Sequence, residues 1–103
     1  DTLNGGDGDD TFTETDANGN DTIDGGNGSA DTVNYDDNVA TNAVTATLGT
    51  TDITVTRGST TDTLSNVERI LGTDSVSDTL NASAASADLT VNLSTTSGSN
   101  ISG

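Results

Sequence analysis

The chain has 103 residues, a formal net charge of −15 from Asp+Glu 17 against Lys+Arg 2, and 28% hydrophobic residues with one Tyr, one Phe and no Trp, Cys or His. So little positive charge excludes nucleic acid and anionic membrane surfaces as partners, and the lack of Cys excludes disulfides. A chain this acidic and this poor in apolar side chains lies near the folding threshold, and a bound cation is the natural means of cancelling self-repulsion while tying loops together.

The first residues, DTLNGG, lack the basic start and apolar stretch of a signal peptide, and no Met precedes them, so the chain is read as a fragment or processed product beginning mid-repeat. A unit Asp-Thr-apolar recurs at Asp1-Thr2-Leu3, Asp10-Thr11-Phe12, Asp21-Thr22-Ile23 and Asp31-Thr32-Val33, about ten residues apart, and returns at Asp62-Thr63-Leu64 and Asp78-Thr79-Leu80. Polar-apolar-polar over three residues predicts a very short strand, and the Gly/Asn/Asp stretch before each unit predicts a turn. Gly and Asn tolerate positive φ, so such turns can be tight and can aim carbonyls inward. Turn, short strand, turn, short strand is the rhythm of a parallel β solenoid.

From about residue 38 the rhythm changes. Ala43 to Leu48 and Asp52 to Arg57 alternate strictly, with Val44, Ala46 and Leu48 on one face, followed by Ile53 and Val55. The connector Gly49-Thr50-Thr51 either closes a hairpin or turns one coil into the next. Residues 62–80 carry Leu64, Val67, Ile70, Leu71, Val76 and Leu80 at mixed spacing. Asn66 to Leu71 allows one helical turn, but irregular coil with a short strand is the preferred reading. Residues 88–94 alternate again, with Leu89, Val91 and Leu93 inward, and the final STTSGSNISG is Ser/Gly-rich and reads as a loop, a linker or the start of the next repeat. The predicted organisation is short Gly/Asp-rich repeats over 1–37, a degenerate β region continuing the solenoid over 38–94, and a Ser/Gly-rich loop or linker over 95–103.

Residues 5–13, GGDGDDTFT, fit G-G-x-G-x-D-x-U-x, with U apolar, at each defined position: Gly5, Gly6, Gly8, Asp10 and Phe12. Residues 16–24, DANGNDTID, fit its later half through Gly19, Asp21 and Ile23. Residues 25–34, GGNGSADTVN, fit with one extra residue before Asp31. On these three nearly phased matches the chain resembles the RTX, or hemolysin-type, calcium-binding repeat family. The later DTLSNVERILGTDSVSDTL is similar to the degenerate segment that lies between such repeats. The resemblance implies an all-β fold, a parallel β-roll or β-solenoid with calcium-binding Gly-Asp turns that continues into degenerate β coils or a small β-hairpin region.

Calcium is a hard ion that takes roughly six to eight oxygens at about 2.3–2.6 Å from carboxylates and carbonyls. Glycines let the backbone curl so that carbonyls converge, and the Asp supplies charge. The apolar residue two positions on is expected to point to the opposite side and be buried. The resemblance implies that two nonapeptides make one coil, with an ion between a turn and the turn two repeats later, about 4.8 Å along the stack. It thereby implies one site from the carbonyls of Gly6 and Gly8 with the Asp10 carboxylate, joined by the carbonyls of Gly25 and Asn27 with the Asp31 carboxylate. A second, incomplete site pairs the carbonyls of Asp16 and Asn18 and the carboxylate of Asp21 with the truncated turn ending at Asp1. Asp7, Asp9 and Asp24 are then outer-sphere charge, and Asp78 is a lesser candidate. Glu68, beside Arg69, reads as a cap or exposed ion pair rather than a ligand. Tyr35 and Phe12 read as core plugs.

Catalysis is not expected. Serines are plentiful, but without His, Cys or Lys they have no usual general base. The Gly-rich loops carry carboxylates where a phosphate cradle carries lysine. The resemblance implies a calcium-rigidified structural segment of a secreted bacterial surface protein: an S-layer, an extracellular filament or an adhesin. The alternative is an RTX folding and export module of a type I-secreted enzyme or toxin. Thr/Ser-rich strands and repeats that degenerate past the motif favour the first. Expected partners are further copies of the chain in a lattice or filament, or other components of the bacterial cell surface, with no nucleic acid and no membrane insertion.

Overall fold

Each of the first four Asp-Thr-apolar units forms a three-residue strand: β1 (Thr2–Asn4), β2 (Thr11–Thr13), β3 (Thr22–Asp24) and β4 (Thr32–Asn34). The computed structural model describes residues 1–14, 19–35, 43–73, 75, 77–84 and, for the backbone alone, 100–102. Thr, Ile, Val and Phe favour extended backbone, and the glycines between the units stop each strand after one alternation. Six further strands follow: β5 (Val44–Leu48), β6 (Ile53–Arg57), β7 (Thr60–Ser65), β8 (Arg69–Leu71), β9 (Thr79–Asn81) and β10 (Asn100–Ser102). The fold is all-β, with no helix among the described residues.

The strands form a seven-stranded sheet, order β1-β3-β7-β6-β5-β9-β10, and a three-stranded sheet, order β2-β4-β8. The first four strands alternate between the two sheets. Pairing is parallel between β1 and β3, β3 and β7, β2 and β4, and β4 and β8. Register sets like on like: Leu3 opposite Ile23 opposite Leu64 in one sheet, Phe12 opposite Val33 opposite Ile70 in the other. These side chains and Tyr35, Val44, Ala46, Val55, Ile53, Val67 and Leu80 join one apolar cluster drawn from both sheets. Tyr35 is fully buried and Phe12 packs against the cluster, so both are core plugs. Burying each such side chain contributes about 1.5–3 kcal/mol.

The Gly49-Thr50-Thr51 connector closes a hairpin. β5 and β6 pair antiparallel, Leu48 opposite Ile53, and the Gly49 amide donates to the Asp52 carbonyl at 2.9 Å. β6 and β7 pair antiparallel through a second turn at Gly58, whose φ of 63° suits a residue without Cβ. This hairpin is inserted between β7 and β9 in the larger sheet. Of Asn66 to Leu71, the last three residues are strand β8 and no helical turn forms.

Within the Ser/Gly-rich 95–103 segment, expected to be a loop, a linker or the start of a next repeat, Asn100–Ser102 is a strand paired in parallel with β9. Its polar-apolar-polar order is that of the other short strands. One expectation is corrected: the acidic and apolar residues of a unit do not point to opposite sides. Asp31 and Val33 are both fully buried, and so are Asp62 and Leu64 to within 6%. Residues two apart in extended backbone share a face, so the carboxylate enters the same interior as the apolar side chain. The alternation expected over 88–94 lies outside the described residues.

Candidate metal centre

The parallel pairing of β1 with β3 and β2 with β4 lays turn 5–10 directly against turn 25–31. Asp7 bridges Asn27, the Asn27 amide donates to the Gly6 carbonyl at 2.7 Å, and the Gly8 amide donates to the Asn27 carbonyl at 2.9 Å. The pairing of turns inferred from the repeat is therefore the one the fold contains. Gly6, Gly8 and Gly26 have φ of 96°, 107° and 97°, which keeps both turns tight. The extra residue of the second turn is absorbed at Ala30. Asp7 faces Asn27 and the Ser29 amide donates to Asp9 at 3.1 Å, whereas Thr11 pairs with Thr32. The offset thus grows by one between Ser29 and Asp31.

Acidic side chains stack in two columns, one at the entrance to each parallel set of strands. In the first, the Asp10 amide donates to Asp31 Oδ1 at 2.7 Å and the Asp31 amide to Glu68 Oε2 at 2.9 Å. In the second, the N-terminal ammonium of Asp1 donates to Asp21 Oδ1, and the Asp21 amide donates to Asp62 Oδ1 at 3.0 Å. Each carboxylate thus accepts the backbone N–H of the acidic residue before it in the column.

The columns differ in what meets the remaining oxygens. In the first, Asp10 Oδ2 and Asp31 Oδ2 are both buried and have no hydrogen-bond partner among the described residues. A Cβ on Gly5 would stand 2.5 Å from both Asp10 Oδ2 and the Gly25 carbonyl oxygen. A Cβ on Gly28 would stand 2.6 Å from Asp31 Oδ2 and 2.7 Å from the Gly8 carbonyl oxygen. Asp10 Oδ2 with the Gly25 carbonyl oxygen, beside Gly5, and Asp31 Oδ2 with the Gly8 carbonyl oxygen, beside Gly28, therefore line glycine-walled space between the turns. An unpartnered buried polar atom carries a cost of about 1–3 kcal/mol, more for a charged group. The donor set is all oxygen and doubly anionic, which fits a hard divalent cation. Of the residues inferred for this site, Asp10, Asp31, Gly8 and Gly25 face the space, while Gly6 and Asn27 use their carbonyls to stitch the two turns together.

In the second column the carboxylates meet protein groups. Asp62 is 6% exposed, and its Oδ2 accepts the Tyr35 hydroxyl at 2.9 Å. The Arg57 guanidinium lies over the Tyr35 ring, 5.7 Å from its centroid, and Nη1 donates to the Glu14 carbonyl at 3.3 Å. Burial first, and the Asp62 hydrogen bond second, push the Tyr35 hydroxyl well above its ordinary pKa. The hydrogen bond to Asp21 likewise raises the pKa of the exposed N-terminal ammonium. Glu14, Asp21 and Asp62 offer oxygens within 4.8 Å of one another. Asp16 and Asn18, inferred for a second site with Asp21 and Asp1, lie outside the described residues.

Asp24 Oδ1 accepts the Gly26 amide and the Asn66 side chain, and Asp7 Oδ1 accepts the Asn27 side chain. Asp78 accepts the Thr73 amide at 2.7 Å, the Thr73 hydroxyl at 2.9 Å and the Val44 amide at 2.9 Å, so it staples its own turn to β5. Glu68 and Asp62, not placed in a site from the sequence, complete the two columns. A signal was present: Glu68-Arg69-Ile70 has the acid-polar-apolar order of Asp31-Thr32-Val33. Comparison of the chain with protein-family models, curated proteins and solved structures finds no match.

Proposed function

We propose that this chain is a calcium-folded structural segment of a secreted bacterial cell-surface protein, built as a parallel β-roll of the RTX kind. The observation that carries the reading is the pair of buried oxygens, Asp10 Oδ2 and Asp31 Oδ2, which have no partner among the described residues and face glycine carbonyls across stacked turns. The alternation of the first four strands between two parallel-paired sheets supports the roll. A divalent cation in that space neutralises both carboxylates and joins turn 5–10 to turn 25–31, which replaces repulsion by cohesion.

The chain's net charge of −15 then acts as a switch. Where calcium is scarce, self-repulsion keeps the chain expanded. Where calcium is near millimolar, extracellular-type sites with affinities of about 10⁻⁴–10⁻³ M fill, and the folded state gains in proportion to the logarithm of free calcium over Kd. Among the described residues β1 and β10 are the outer strands of one sheet and β2 and β8 those of the other, and outer strands can pair between copies in a lattice or filament outside the cell.

Far-UV circular dichroism during a calcium titration, with magnesium as control, tests the reading. A transition from coil to β near millimolar calcium is expected. Magnesium is expected to fail, because it demands near-octahedral geometry and gives up its water reluctantly. A spectrum already β-rich in EGTA and indifferent to calcium would sink the proposal.

A further inference from the structure

Five peptide bonds of the chain join Asn or Asp to Gly: Asn4-Gly5, Asp7-Gly8, Asn18-Gly19, Asp24-Gly25 and Asn27-Gly28. Each sets a side-chain carbonyl carbon beside a backbone amide whose own residue has no Cβ to keep the two apart. When the glycine nitrogen attacks the carbonyl carbon of Asn, a five-membered succinimide closes and ammonia leaves. Water then opens the ring at one carbonyl or the other, which gives Asp or isoaspartate. The attacking nitrogen must first give up its proton, so a glycine amide committed to a hydrogen bond is a poor nucleophile.

The stacking of the turns commits three of these amides. Gly5 donates to the Asp24 carbonyl at 2.9 Å, Gly8 to the Asn27 carbonyl at 2.9 Å, and Gly25 to the Ser65 carbonyl at 3.0 Å. Asn18 lies outside the described residues. The Gly28 amide donates no hydrogen bond among the described residues. Asn27 and Gly28 are both exposed to water. Exposure does not single this bond out, because Asn4 is exposed as well. The uncommitted Gly28 amide does.

Asn27 also carries the seam between two turns. Its amide donates to the Gly6 carbonyl at 2.7 Å, its carbonyl accepts the Gly8 amide at 2.9 Å, and its side-chain Nδ2 donates to Asp7 Oδ1 at 3.0 Å. We propose that Asn27 is a site of spontaneous deamidation, a slow covalent change that loosens turn 5–10 from turn 25–31. Either product removes the donor from Asp7 and sets a second carboxylate against it, so attraction becomes repulsion. Isoaspartate does more. The main chain then runs through the former side-chain carbonyl and is one methylene longer, and the carbonyl that accepts the Gly8 amide leaves the main chain as a carboxylate. The chemistry needs only the stacked turns and does not depend on what fills the gap between them.

Ageing of the full chain in oxygen-18 water tests the proposal, in a mildly alkaline buffer with calcium where circular dichroism reports the β fold. The labelled water that opens the ring marks each deamidated position, and mass spectrometry of proteolytic fragments locates it. In the folded chain Asn27 is expected to take up label at least tenfold faster than Asn4. In concentrated urea, where neither glycine amide is held, the two rates are expected to be similar. Equal rates in the folded chain, or no label at Asn27, would overturn the site. The aged chain is expected to unfold at a lower urea concentration than the fresh chain at the same calcium concentration. Identical unfolding curves would overturn the loosening of the seam. Asn27→Gln keeps a side-chain amide but can close only a slower six-membered ring, so its urea midpoint is expected to survive ageing. A variant that weakens with age as much as the unmutated chain would place the change elsewhere and overturn the proposal.

Discussion

The two acidic columns begin from the same unit and end in different chemistry. Asp31 and Asp62 each precede a Thr and an apolar residue, each enters the interior with that apolar side chain, and each accepts the amide of the acid before it. Yet Asp62 has its second oxygen on the Tyr35 hydroxyl, whereas Asp31 has its second oxygen on nothing among the described residues. Tyr35 and Arg57 provide for the Asp62 side a polar network made of protein. The Asp31 side offers glycine and backbone carbonyls in the same place. A buried carboxylate is tolerable only when its lone pairs are met: both oxygens of Asp62 accept protein donors, while Asp31 Oδ2 accepts none among the described residues.

The largest effect should come from the Asp31 side. Asp31→Ala removes the buried carboxylate and leaves the Asp10 amide without its acceptor, which by itself costs about 1–3 kcal/mol. Because the same side chain lines the cation space, the variant is expected to lose the calcium-dependent β signal entirely. A variant that still folds at the same calcium midpoint would erase the distinction between the flanks.

Glycine substitutions sharpen the comparison. Gly25→Ala drives a Cβ to within 2.0 Å of the Asn66 backbone oxygen, so a layer must shift. A loss of about 3 kcal/mol or more is expected, since even ordinary overpacking costs about 1–3 kcal/mol. Gly58→Ala, in the hairpin turn, meets nothing within 4 Å and bears only the left-handed penalty of about 1–2 kcal/mol. Denaturant unfolding at fixed calcium separates the two. Equal losses would mean that turn stacking around Gly25 is no tighter than a surface turn.

On the flank of Asp62 and Tyr35 only stability is expected to change. Tyr35→Phe removes one donor from Asp62, a loss of about 1–3 kcal/mol, with the number of bound calcium ions unchanged. The same hydroxyl sets a pH dependence. Its folded pKa lies above the ordinary 10.0, so the folded chain holds the proton more tightly than the unfolded chain. This contribution to stability is whole below about pH 10 and declines as pH rises beyond it, where only the unfolded chain releases the proton. As the sole tyrosine of the chain, Tyr35 is expected to show phenolate absorbance only as the β signal is lost. Ionisation near pH 10 with the fold intact would place the hydroxyl in water rather than on Asp62.

Local chemistry made much of this protein legible from its sequence alone. Thr-apolar pairs between Gly/Asp stretches form short strands and tight turns, and the resemblance of those turns to a calcium-binding repeat implied that turn 5–10 would lie against turn 25–31. Composition alone showed that lysine and arginine, 2 against 17 acidic residues, are too few to neutralise the carboxylates. Which carboxylates would be met by protein was decided by the tertiary structure. Tyr35 reaches Asp62 from 27 residues away, and Glu68 meets Asp31 from 37 residues away. No periodicity links those positions. The β5–β6 hairpin, inserted between β7 and β9, resets the interval and breaks the repeat in sequence, while the stack continues unbroken in space. Hydrogen bonding and burial act on distances between atoms, and only the folded chain brings those atoms together.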